Sequence, residues 1–275
     1  MSPEIVWLFA ALAIAALFAG FIGGLFGVGG GIVIVPALYL VFAALDIDEA
    51  VRMHLAVGTS LSTIIATSAR SLATHAKAQA VDFEVLRTWS PWIVAGALVG
   101  SAIAGVSNTE VLLAVFGVGM LLVAGQMGFG GPNWRLADDM PTGAVRALIA
   151  SGVGIVSAMM GIGGGSFGVP IMTLCGRPIH RAVATASGFG AAIALPAALG
   201  YIVAGWGRED LPPWSLGFVS VPGFILLAAL TAITAPIGAR LAHRLPQTIL
   251  KRAFALLLAA VALNILREAF QVSHE

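Results

Sequence analysis

Two short glycine runs carry the residues best placed to do chemistry in this chain. Gly27-Val28-Gly29-Gly30-Gly31 is closed by Pro36, and Gly161-Ile162-Gly163-Gly164-Gly165 by Pro170, at a constant offset of 134. Glycine accepts the positive φ and close backbone approach at which a helix breaks. Gly29, Gly30 and Gly31 then lead into Ile32, and Gly163, Gly164 and Gly165 into Ser166. A helix restarting there presents unpaired N–H groups and a positive dipole end, an anion site that needs no fixed cation. Hydroxyls follow in both copies. His54-Leu55-Ala56-Val57-Gly58-Thr59-Ser60 matches His180-Arg181-Ala182-Val183-Ala184-Thr185-Ala186 at an offset of 126, so the second linker is eight residues shorter (134 − 126). Thr59, Ser60, Ser166, Thr185 and Ser187 are therefore the candidate side-chain ligands, although a membrane hydroxyl often bonds only the preceding turn.

Other chemistries lack their residues. The 13 carboxylates lie near the termini, in expected loops or at helix ends, so the midplane acid that usually ligates a cation or relays protons is missing. Cys175 is the single cysteine, which excludes a disulfide or thiolate cluster within one chain. No metal or cofactor is called for, and a net charge of +1 supplies no basic face for nucleic acid. His54 and His180 begin helices at opposite membrane faces and read as interfacial caps or gates. Arg70, at the cytoplasmic end of its helix, attracts anions or snorkels. Gly164 to Gly168 spells G-x-S-x-G, but an intramembrane serine hydrolase is a weak reading, because the repeat already explains those glycines.

The elements that must position these residues are membrane helices. With 59% hydrophobic residues, 10% charged ones and a mean hydropathy of +0.99, the chain is an all-α polytopic membrane protein whose solvent is the lipid bilayer. Its first apolar stretch is too long for a signal-peptide core and is expected to stay as a span. Charge-free runs of 41 residues (Ile5 to Leu45) and 30 residues (Ala147 to Gly176) each exceed one upright helix, and each contains a glycine run. If both runs lie inside single spans, Lys and Arg divide almost evenly between the two sides. If both are reversals, the division is eleven against three, with Arg52, Arg208 and Arg267 in the minority. The positive-inside rule selects the second arrangement, five segments per half with both termini outside.

An odd number of segments per half inverts the second copy. We therefore expect two inverted-topology repeats, residues 1–130 and 143–275, joined by a linker at 131–142. Ile32 to Leu45 and Ser166 to Cys175 are too short to span, so they are expected as half-helices or re-entrant arms, which survive at membrane depth only inside protein or against a cavity. Such broken helices commonly meet at the midplane site of an alternating-access transporter.

The doubled break with its prolines, and the downstream AVGTS and AVATAS stretches, resemble the TauE/SafE family of sulfite exporters, also called the toluene sulfonate uptake permease family. The resemblance runs from Leu17 to about Ile265. It implies a permease of the bacterial inner membrane, not an enzyme, for small sulfur-containing anions such as sulfite, sulfoacetate or other organosulfonates. Ser60 is matched by Ala186, so the halves are not equivalent. A passive anion channel is the alternative, and a homodimer with a second copy is the protein partner left open.

Overall fold

The computed structural model describes residues 3–129 and 135–272, and among these the chain forms ten helices. They are α1 (Pro3–Phe26), α2 (Gly31–Ala44), α3 (Glu49–Lys77), α4 (Phe83–Val106) and α5 (Thr109–Phe129), then α6 (Gly143–Met160), α7 (Gly165–Leu174), α8 (Ile179–Ala204), α9 (Val221–Ala242) and α10 (Gln247–Val272). Both glycine runs are helix breaks. Gly27, Gly29 and Gly30 take φ of 70°, 71° and 87°, and α6 stops at Gly161 with φ 70°. Pro36 and Pro170 sit inside α2 and α7, where each removes a helical donor and leaves the carbonyl four residues back unpaired within the helix. Carboxylates stand at helix starts, as the sequence suggested: Asp48 accepts from Ala50 N–H at 2.9 Å and Asp82 from Val85 N–H at 3.2 Å.

Lengths match the expectation of short second segments. At about 1.5 Å per residue α2 and α7 reach roughly 21 and 15 Å, well short of a hydrocarbon core of about 30 Å. Among the described residues five helices, α4, α5, α6, α8 and α9, are long and apolar enough to cross a membrane. Their outward faces carry aliphatic side chains such as Leu98, Leu122, Leu199, Ile225 and Ile233, all exposed. That is the surface a lipid-facing helix requires.

Packing runs across the halves. α1 lies on α9 and α4 on α6, while α3 pairs with α8 and α5 with α10. If α1–α5 are matched in order to α6–α10, each of these pairings maps onto another or onto itself, and α3 on α9 maps onto α8 on α4. Close backbone approach makes the cross-half pairs. A Cβ on Gly100 would lie 2.7 Å from Ile155 Cα, and one on Gly238 would lie 2.8 Å from Leu25 N. Small residues permit this contact where lipid offers no hydrophobic drive.

Two sets of polar contacts mark the ends of the bundle. Arg177 and Arg181, in and after the α7–α8 turn, reach Asp82 before α4 at 3.6 and 3.7 Å. These two connections therefore share one end, as five segments per half requires and four does not. At the other end Arg208 stacks over Phe218, whose ring lies 4.8 Å from His54. Of the linker expected at 131–142, residues 131–134 lie outside the described residues, and Leu136 N–H donates to Leu174 O at 2.9 Å.

Candidate functional site

The two breaks meet in the core. Gly27 to Gly31 and Gly161 to Gly165 are all buried, and Gly163 N–H donates to Val28 O at 3.0 Å. The contact is backbone on backbone: a Cβ on Gly165 would lie 2.6 Å from Gly27 O, and one on Gly31 would lie 2.9 Å from Ile162 Cα. In this conformation nothing fits directly between the two loops, so a ligand must lie at their flank or enter as they part. Neither α2 nor α7 has a side-chain cap; Val33 N–H donates to Gly30 O at 3.0 Å, which leaves the N–H groups of Gly31 and Ile32 in α2 and of Gly165 to Phe167 in α7 as the available donors.

The hydroxyls divide into engaged and unengaged ones. Thr59 Oγ1 accepts from Ser220 N–H at 2.9 Å, and Thr185 Oγ1 accepts from Asp82 N–H at 2.8 Å. These matched threonines clamp the starts of α9 and α4. Ser60 Oγ donates to Gly161 O at 2.8 Å and so anchors the second break. Ser187 is bonded to Val183 O at 3.2 Å and to Ser71 at 3.1 Å. Ser166, in the first turn of α7, is fully buried and its Oγ has no partner.

Ser68 on α3 is a residue that the sequence reading did not single out. Its neighbours Ser62, Thr63, Thr67 and Thr74 all donate to the carbonyl four residues back, whereas Ser68 Oγ is buried and bonded to nothing. It stands 3.2 Å from the position a Cβ on Gly29 would take, and it also presses on Gly190 of α8. A serine inside the hydroxyl-rich stretch of α3 was the only signal available in the sequence.

The gating candidates sit at helix ends. His54 Nε2 is 3.0 Å from both Ala104 O and Ser107 O, at the end of α4. His180 faces His243 at the end of α9, with ring centroids 6.4 Å apart, and His243 in turn lies 3.0 Å from the ring nitrogen of His75. Arg70 is exposed and lines a surface groove of about 520 Å³ with Lys77 and Arg240. Among the described residues Ser166 Oγ has no hydrogen-bond partner, so G-x-S-x-G gains no catalytic partner there. The structure thus sets Ser60, Ser166 and Ser187 against the breaks, while Thr59 and Thr185 turn to the starts of α9 and α4.

Comparison with known proteins gives the family. The profile of the family described as "Sulfite exporter TauE/SafE" matches residues 12–265. A probable membrane transporter protein of Haemophilus influenzae is 32% identical over 253 residues, covering 92% of this chain and 96% of the relative. One from Methanocaldococcus jannaschii is 26% identical over 245 residues, 88% of this chain and 89% of the relative. Another from Bacillus subtilis, YunE, is 30% identical over 184 residues, 60% of this chain and 67% of the relative. No solved structure matches the chain.

Proposed function

The chain belongs to the TauE/SafE family of membrane transporters, and on that premise we propose that it is a permease for a small sulfur-containing anion, sulfite or an organosulfonate. The observation that carries this reading is the meeting of two buried, uncapped helix starts beside the unpartnered hydroxyl of Ser166. Partial positive charge from the first turns, with hydroxyl and amide donors, satisfies a sulfur oxyanion without a counter-cation. The halves, 1–130 and 143–275, are inverted relative to one another, both termini are outside, and the breaks part alternately toward each side. Because α1 rests on α9 and α6 on α4, the bodies that move cut across the repeats.

The test is flux and binding with purified protein in liposomes, offering sulfite, sulfoacetate, toluene sulfonate, sulfate and chloride. Saturable flux of sulfite or a sulfonate supports the proposal. Passage of chloride alone, unsaturated and strictly downhill, would establish the passive channel instead.

A further inference from the structure

The two breaks are related by the repeat, yet several residues matched across them differ in polarity, Ser166 standing where the first copy has Ile32. We propose that only the second break seats the anion, held by Ser68, Ser166 and the first turn of α7, and that the first is a sealed structural joint. This rests on the reading that the breaks hold the anion, and it names which one and with what ligands.

Corresponding positions supply the comparison. At the offset of 134 Ser166 matches Ile32, and at the offset of 126 Ser60, Ile64 and Ser68 match Ala186, Gly190 and Ala194. The matched sets are thus Ile32, Ile64, Ala186 and Ala194 against Ser166, Gly190, Ser60 and Ser68, with Ser68 Oγ between the breaks, 3.2 Å from the Cβ position of Gly29 and against Gly190. Ile64 lies flat on the first break, its Cγ2 2.7 Å from the Cβ position of Gly29 and its Cδ1 3.0 Å from that of Gly31. On the second break the matching residue is Gly190, which brings no side chain of its own, and the start of α7 is packed by Phe189, whose Cβ abuts the Cβ position of Gly164, and by Val28, whose Cγ1 lies 2.6 Å from that of Gly165. The Cβ position of Gly190 lies 3.7 Å from Gly164 N and is reached by Ser68 Oγ. Ser187 lies near Gly27, but it is already bonded to Val183 and Ser71.

Ser68 and Ser166 are the two hydroxyls of this cluster without a partner, and both are buried. A buried hydroxyl left unbonded is destabilising, so a ligand that accepts from both recovers that loss. The donor set also selects charge. One helix start contributes roughly half a unit of positive charge, and no Lys or Arg side chain is among these ligands, so the site fits a singly charged head such as a sulfonate or bisulfite better than the sulfate dianion.

The experiment compares Ser68→Ala and Ser166→Ala with Ile32→Ala and Ile64→Ala, using sulfite and toluene sulfonate as probes. Each serine variant should weaken probe binding roughly tenfold or more, the loss of a hydrogen bond to a charged group. Without ligand it should melt no lower than the parent, because it removes an unsatisfied hydroxyl. The isoleucine variants should change melting while the dissociation constant stays within about twofold of the parent's, roughly 0.4 kcal/mol. Gly190→Ala places a methyl against Ser68 Oγ and should also abolish binding. Unchanged binding in both serine variants overturns the proposal. If the isoleucine variants then lose binding, the break reading survives with the seat moved; if neither probe binds the parent protein, the break reading itself has failed. Sulfate binding as tightly as the sulfonate overturns the charge selection.

Discussion

Thr59 and Thr185 occupy matching positions in α3 and α8, and each accepts from the backbone N–H of the residue that begins a neighbouring helix, Ser220 before α9 and Asp82 before α4. Replacing either by valine keeps the shape and strands a buried N–H. Each change should lower stability by about 1–3 kcal/mol, read as a drop in melting temperature in detergent, and the double variant should lose roughly the sum. The sequence made these threonines visible through the repeat but could not say what they bond, since their partners lie 161 and 103 residues away. Ser68 shows the opposite case. Nothing local distinguishes it from Ser62 or Thr67, and only the placement of Gly190 and the first break against α3 leaves its hydroxyl unbonded.

At the scale of elements, breaks and short arms were legible because glycine clusters and proline act locally on φ and on helical donors. The cross-half pairing was not, because periodicity records which face of a helix is apolar and not which helix covers it. Gly96 and Gly100 both face α6, at Ser151 and Ile155. Gly100→Val forces a branched side chain into a backbone contact and should destabilise by about 1–3 kcal/mol, or more if α4 must move. A normal melting temperature for that variant would mean that α4 and α6 are further apart than described.

For the whole molecule, the charge bias of eleven against three already grouped the connections by side. The structure places Arg177 and Arg181 with Asp82 at one end, and Arg208, Phe218 and His54 at the other. With Cys175 replaced by alanine, cysteines at Gln79 and Gly176 should both resist a membrane-impermeant maleimide added to intact cells, while a cysteine at Asn108 is labelled. Labelling of one of the first pair without the other would break the five-plus-five arrangement. Interleaving also forbids an independent half. Residues 1–130 alone should be degraded or aggregate, and co-expression with 131–275 should restore a protein that melts cooperatively.

The pairing of α1 with α9 has a consequence for synthesis. About 195 residues separate Phe26 from Val221, so at roughly 5–20 residues per second the first helix enters the bilayer some 10–40 s before its partner exists. During that interval its glycine-lined face, at Gly20 and Gly24, is open to lipid or to whatever helix stands nearby. The ribosome thus delivers an incomplete bundle that must wait, and slow codons or a bound insertase between α1 and α9 would lengthen that exposure.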